Sequence, residues 1–235
     1  MRKKKTSRVF FSFIAIVLAA AAVYSGFQVW SIQKDYAAEA EMRSAVAVYK
    51  PQTSETVNQS VIDLQAKYPD AVGWLTVPGT KIDYPFVQSG DNDFYLRRDL
   101  DGKYATAGTL FMDCRCAPDF SAQNTIIYGH HLKNGSMLSG LKSFADKEFF
   151  DENRSGTIFL PHETLKLEFF AYMVVKHTDK EIYSEELSET FIEYVKQNAR
   201  QYREIEDVED GRIVTLSTCS YEFNGARSVL LARIA

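Results

Sequence analysis

From residue 72 onward, apolar residues fall into short runs of β-type texture separated by turn residues. The runs cover residues 72–77, 82–87, 108–113, 125–128, 157–160, 165–175, 213–218 and 228–234. Between them lie Pro78-Gly79, Asp101-Gly102, Asn134-Gly135 and Asn224-Gly225, all turn-forming pairs. Seven or eight strands at this density predict a mainly β chain, closed as a barrel or stacked as a sandwich. Two stretches keep a helical period instead. Ser136 to Phe144 repeats Met137, Leu138, Leu141 and Phe144; Glu185 to Tyr202 repeats Leu187, Phe191, Ile192 and Val195. Upstream, residues 34–68 read as helix with one break at Lys50-Pro51, because proline disfavours helix at the residue before it. Thr53 or Ser54 is placed to cap the second piece, whose apolar positions are Val57, Val61, Ile62 and Leu64, and Pro69-Asp70 ends it.

The first 33 residues follow neither pattern. Arg2, Lys3, Lys4, Lys5 and Arg8 come first, and from Val9 to Gln33 there is no charge. A bilayer core needs about 20 mostly apolar helical residues, and this run supplies them. The expected layout is a basic cytoplasmic tail over 1–8, a transmembrane signal-anchor helix over 9–30, an N-terminal helical segment over 31–70 and a β-rich body over 71–235 outside the cytoplasm. A cleaved signal peptide, using the small residues Ala19 to Ala22, is the other reading; the length of the run favours a retained anchor. The body is acidic. Of 27 basic residues, removing those five leaves 22 against 31 acidic ones, a net charge of −9. That balance argues against nucleic acid as a partner.

There are three cysteines, Cys114, Cys116 and Cys219. On a strand, Cys114 and Cys116 would face the same way, but so short a disulfide ring is strained. A structural role is expected for both, and Cys219 is then a leftover thiol in an exported protein. It ends the apolar run Ile213 to Thr218, and after a polar loop Arg227 opens the next run. A hairpin here would bring thiol and guanidinium to one cleft; a cation beside a thiol favours the thiolate, which is the nucleophilic form. A second apolar run, Thr125 to Tyr128, leads through Gly129 to His130, and imidazole moves protons near neutral pH. A distant Cys and His is the usual plan for a cysteine nucleophile. Spacing alone equally fits a buried thiol at a strand end, a loop histidine and a solvated arginine.

The residues carry a resemblance that changes these odds. Thr215-Leu216-Ser217-Thr218-Cys219 resembles the TLSTC element of the sortases, most closely those of class B. Ile126-Ile127-Tyr128-Gly129-His130 is similar to their strand leading to the catalytic histidine, and Arg227 matches their essential arginine. Tyr84 to Gln88, Asp91-Asn92 with Tyr95-Leu96, and Gly108 to Asp113 also fit, in order, within residues 34–235. The resemblance implies a closed β-barrel of about eight strands with N-terminal helices and a helical insertion near 185–203. It implies Cys219, His130 and Arg227 as the catalytic set, and Asn92, Leu96, Tyr128 and Ser217 around the substrate groove. Core roles for Leu96 and Tyr128 and a turn role for Asn92 fit those residues as well. Cys114 stands where the family commonly has an aromatic residue. His131 is expected on the solvent side, opposite His130, and His162 and His177 at loops or strand ends.

The implied reaction is transpeptidation. A C-terminal sorting signal, NPQTN-like or (S/P)PxTG-like, is cut after Thr through a thioester and transferred to an amine of a peptidoglycan precursor or of a pilin lysine. No cofactor and no metal is implied, and no metal-ligand spacing is visible. Two rivals need other residues: a thiol-redox protein using Cys114 and Cys116, which would survive loss of Cys219, and a non-catalytic binding barrel, in which Cys219 would resist alkylation.

Overall fold

A computed structural model describes residues 2–52, 57–206 and 211–235. The chain divides into two compact units, residues 1–41 and 42–235. The first unit is helix, part of α1 (Arg2–Val46). Its most apolar 18-residue window has a mean hydropathy of 2.1 and none of it is buried, so it is a candidate membrane anchor by length and composition.

The second unit is a barrel. Its strands are β1 (Ala71–Thr76), β2 (Asp83–Val87), β3 (Leu110–Met112), β4 (Asn124–Tyr128), β5 (Ser155–Leu160), β6 (Glu163–Lys176), β7 (Gln201–Tyr202), β8 (Ile213–Cys219) and β9 (Ala226–Ile234). They hydrogen-bond in the order β5-β1-β2-β3-β4-β8-β9-β6-β7, and pairing of β5 with β6 closes eight of them into a ring with β7 as an extra strand on β6. This is the predicted closed barrel with one two-residue strand added. Most pairs are antiparallel; β2–β3 and β4–β8 are parallel. Alternate positions face opposite ways, as a pleated strand requires. Val214, Leu216, Ile127 and Leu230 fill the interior with Phe86, Phe144 and Phe169. Ile213, Val229 and Leu231 face outward and pack beneath α4 (Phe191–Asn198). A third cluster, around Trp74 and Phe111, is covered by α2 (Gln59–Lys67) through Val61 and Leu64.

The helices depart from the sequence pattern in instructive ways. The break at Lys50-Pro51 is present, after a short 3-10 turn at Ala47–Tyr49. The cap expected at Thr53 or Ser54 lies outside the described residues. Asn58 precedes α2, and its amide is spent elsewhere, on Leu160 O at 2.6 Å and Glu163 O at 3.1 Å, tying the helix to the β5–β6 hairpin. The segment read as a helix from Ser136 is a 3-10 helix, Leu138–Ala145, entered through Met137 at a φ of 55°. A short α3 (Lys147–Glu152) follows, capped by Asp146, which accepts from the Phe149 amide at 2.9 Å. The insertion near 185–203 holds a shorter helix than its periodicity suggests. Residues 185–190 are irregular because β4 captures the backbone around them, and Tyr202 pairs with Ala171 as strand β7.

Phe144 is fully buried, edge-on to Phe149, Phe150 and Phe169. Phe144→Ala is expected to lower unfolding free energy by about 3–5 kcal/mol, the usual cost of an aromatic-sized core void, read as a drop in urea midpoint at unchanged slope.

Candidate active site

Strand direction alone gathers the candidate residues. β4 and β8 are parallel, so their C-terminal ends lie together, with Tyr128 opposite Ser217. β9 returns antiparallel to β8, so its first residues meet the end of β8, with Cys219 opposite Arg227. The Gly129 amide continues the ladder by donating to Ser217 O at 3.2 Å, and His130 follows directly. On β8, Ser217 and Cys219 share the outward face with Ile213, and on β9 Arg227 shares it with Val229. The site is therefore a cleft on the barrel's outer wall, not in its interior.

That cleft encloses about 630 Å³. Cys219, His130 and Arg227 line it, and so do Asn92, Leu96, Tyr128 and Ser217. All seven residues named from the sequence thus come to one place. Cys219 is a free, half-buried thiol. The His130 ring donates from Nε2 to Leu96 O at 2.6 Å, which leaves Nδ1 as the atom without a backbone partner. Leu96 sits in a 3-10 turn, Phe94–Arg97, whose first amides are held by Asp91. Its carbonyl is reached closely by Gly108, where a Cβ would lie 2.6 Å from it. At Gly129 the constraint comes from side chains: a Cβ there would lie 2.3 Å from Leu110 Cδ2 and 2.7 Å from Leu138 Cγ. Among the described residues the Arg227 guanidinium makes one hydrogen bond, from Nη1 to Ala226 O at 3.1 Å.

Several cleft residues had no place in the sequence reading. Tyr183 stacks on Tyr128 with ring centroids 6.2 Å apart, and its hydroxyl shares a 2.9 Å hydrogen bond with Ser217 Oγ. Burial pushes the Tyr183 phenol up to about 12, so the ring stays neutral. The Tyr128 hydroxyl donates to Asp113 Oδ2 at 3.0 Å; burial and that carboxylate both raise its pKa. His177, expected to be an unremarkable strand-end residue, also lines the cleft. No motif marks these positions; only the fold of the segment between β6 and α4 brings them in.

Two expectations change. β3 ends at Met112, so Cys114 and Cys116 lie in the turn after it and do not share a face: Cys114 is exposed and Cys116 is 4% exposed. Both are free thiols. The Cys114 amide donates to Asn92 Oδ1 at 2.8 Å, which is how Asn92 is held. His131 is half-buried, with its ring edge on Tyr221 and a buried Nδ1 that has no hydrogen-bond partner among the described residues; burial lowers its pKa. Among the described residues no group of three or more His, Cys, Asp or Glu side chains is placed to hold a metal.

The chain is similar to Sortase B of Listeria monocytogenes, at 32% identity over 222 residues and 89% of each chain. Among solved structures it is similar to sortase B from Bacillus anthracis in complex with AAEK1, at 32% identity and a TM-score of 0.75, covering 86% of this chain and 98% of that one. A Streptococcus pyogenes class B sortase involved in pilus biogenesis is 32% identical with a TM-score of 0.69, over 74% and 97%. No protein-family model matches.

Asp113 gives the cleft a distinct acid response. Burial raises its pKa, but its bonds from Arg115, Asn92 and Tyr128 outweigh burial and hold the carboxyl at about 2. A depressed folded pKa stabilises above the unfolded value of 3.8, and the gain fades as pH falls from there towards 2. Unfolding free energy is expected to drop by roughly 2 kcal/mol over that window from this group. Asp113→Asn should lack that part of the slope in urea titrations run at stepped pH.

Proposed function

The chain belongs to the class B sortases, a family of cysteine transpeptidases, and we propose that it cuts the sorting signal of exported proteins after a threonine, through a thioester on Cys219, and passes the acyl group to an amine. The observation that carries this reading is the meeting of Cys219, His130 and Arg227 in one cleft with an open wall.

The Cys219 thiolate adds to the threonine carbonyl carbon, and the carbonyl electrons move onto oxygen. Arg227, with most of its donors uncommitted, faces that developing oxyanion; a planar, permanently charged fork suits the task. The tetrahedral species collapses, the C–N bond breaks and the His130 imidazolium gives its proton to the departing amine. With Nε2–H held by the Leu96 carbonyl, Nδ1 is the atom that exchanges protons. An acceptor amine then attacks the thioester, His130 takes the amine's proton, and the C–S bond breaks to return the thiolate. Asn92, Leu96, Tyr128 and Ser217 line the groove that receives the peptide.

In the proposed topology residues 1–8 stay cytoplasmic, 9–30 span the membrane, 31–70 lead out of it and 71–235 work on the outer surface. The apolar helix α1 supports an anchored enzyme, and tethering raises the local concentration of substrates that pause in the same membrane. An NPQTN-like or (S/P)PxTG-like signal is the proposed substrate. A peptidoglycan-precursor amine or a pilin lysine is the proposed acceptor; the latter draws support from the Streptococcus pyogenes relative involved in pilus biogenesis.

The test is a panel of quenched sorting-signal peptides with and without cell-wall amine. At least one peptide should be cut between Thr and the next residue, and Cys219→Ala should cut none. His130→Ala is expected to lose about 10²–10⁴-fold in kcat/KM, and Arg227→Ala about 10²–10³-fold. A wild-type enzyme that cuts no member under reducing conditions sinks the reading.

A further inference from the structure

Residues 177–190, between β6 and α4, have no regular secondary structure of their own, and His177 to Lys180 with Tyr183 and Ser184 form one wall of the cleft. A wall of this kind needs outside anchors, since irregular backbone has few bonds to itself. Two side chains grip its carbonyl oxygens. Asn124, fully buried on β4, donates from Nδ2 to Ile182 O at 3.1 Å and Ser184 O at 2.7 Å, while its Oδ1 accepts from Thr215. The second is Arg115, in the turn after β3 and half exposed. Its Nε and Nη2 grip both oxygens of Asp113, at 2.9 and 2.8 Å, and Nη2 also donates to Tyr183 O at 3.1 Å. Asp113 is fully buried and also accepts from Tyr128. Tyr183 in turn bonds Ser217, two residues before Cys219.

We infer that Arg115 is a positioning residue for this transpeptidase: locked as a fork on Asp113, it latches the Tyr183 main chain and so sets the spacing between the 177–190 wall and the strand end that carries Cys219. The inference rests on the reading of the cleft as a peptide groove. A guanidinium can satisfy a carboxylate with two nitrogens and still aim a remaining N–H at a carbonyl; an ammonium has no such geometry. Because Asp113 is buried, removing the guanidinium also lowers stability, and Arg115→Lys, which keeps the charge, is the variant that separates the latch from that effect. The latch acts before chemistry, on how the substrate is gripped, so its loss should fall on binding and spare the chemical step.

The experiment compares the full chain with Arg115→Ala and Arg115→Lys. Three quantities are read: hydrogen exchange of amides 180–185, KM and kcat for the peptide the wild type cuts best, and the rate of Cys219 alkylation by iodoacetamide. Loss of a charge-assisted hydrogen bond predicts a rise of about tenfold in exchange and in KM for Arg115→Ala. The expected kcat stays within about twofold, because the interaction is the same in ground and transition states, and alkylation is unchanged. Arg115→Lys should keep the wild-type melting temperature and still behave as Ala in exchange and KM. Unchanged exchange, a full rescue by Lys, or a fall in kcat at constant KM overturns the inference. If the wild type cuts no peptide the groove reading fails separately, and the exchange arm then decides the latch alone.

Discussion

The parallel register of β4 on β8 is the constraint on which the cleft depends. It sets Tyr128 beside Ser217 and delivers His130 and Cys219 at one end of the barrel. A slip of one residue in either strand would turn Tyr128 or Cys219 into the interior and send Ile127 or Leu216 outward. Burial enforces the register: Ile127, Val214 and Leu216 are fully enclosed, and exposing them would cost several kcal/mol together. The chemistry of the outer face is thus aligned by the packing of the inner one.

Among the described residues the imidazole is oriented by backbone and not by a carboxylate. Leu96 O receives its Nε2, and the carbonyl is held where it is by a 3-10 turn and by the close approach of Gly108. Gly129 lets the strand pass between Leu110 and Leu138 just before the histidine. Gly108 is held free of a side chain by backbone and a positive φ, and at Gly129 a side chain would have to displace the two buried leucines.

Much of this was legible in the sequence. Eight of the nine strands show as apolar runs, and an apolar strand ending in a functional group marks both Cys219 and His130. What the sequence hides is whatever depends on long-range capture. Residues 185–190 have a helix-like pattern, yet Asn124 takes the neighbouring carbonyls and the helix starts only at Phe191. Tyr202 is apolar at helical spacing but pairs with Ala171 instead. Tyr183 enters the site through a partner 34 residues away, which no local pattern records. His131 looked like a solvent-side neighbour because strand alternation was extended past Tyr128, where the strand has already ended.

Asn124 and Arg115 hold the 177–190 segment by the carbonyl oxygens of Ile182, Tyr183 and Ser184. A carbonyl is the same handle on every amino acid. Those grips are thus indifferent to the side chain at each position, although Asp179, through the Ile182 amide and the Tyr194 hydroxyl, and Tyr183, through Ser217, add side-chain moorings of their own. A graft here would keep its place only if it also kept Asp179, Tyr183 and the buried Ile182, which leaves Thr178 and Lys180 among the cleft positions outside those moorings.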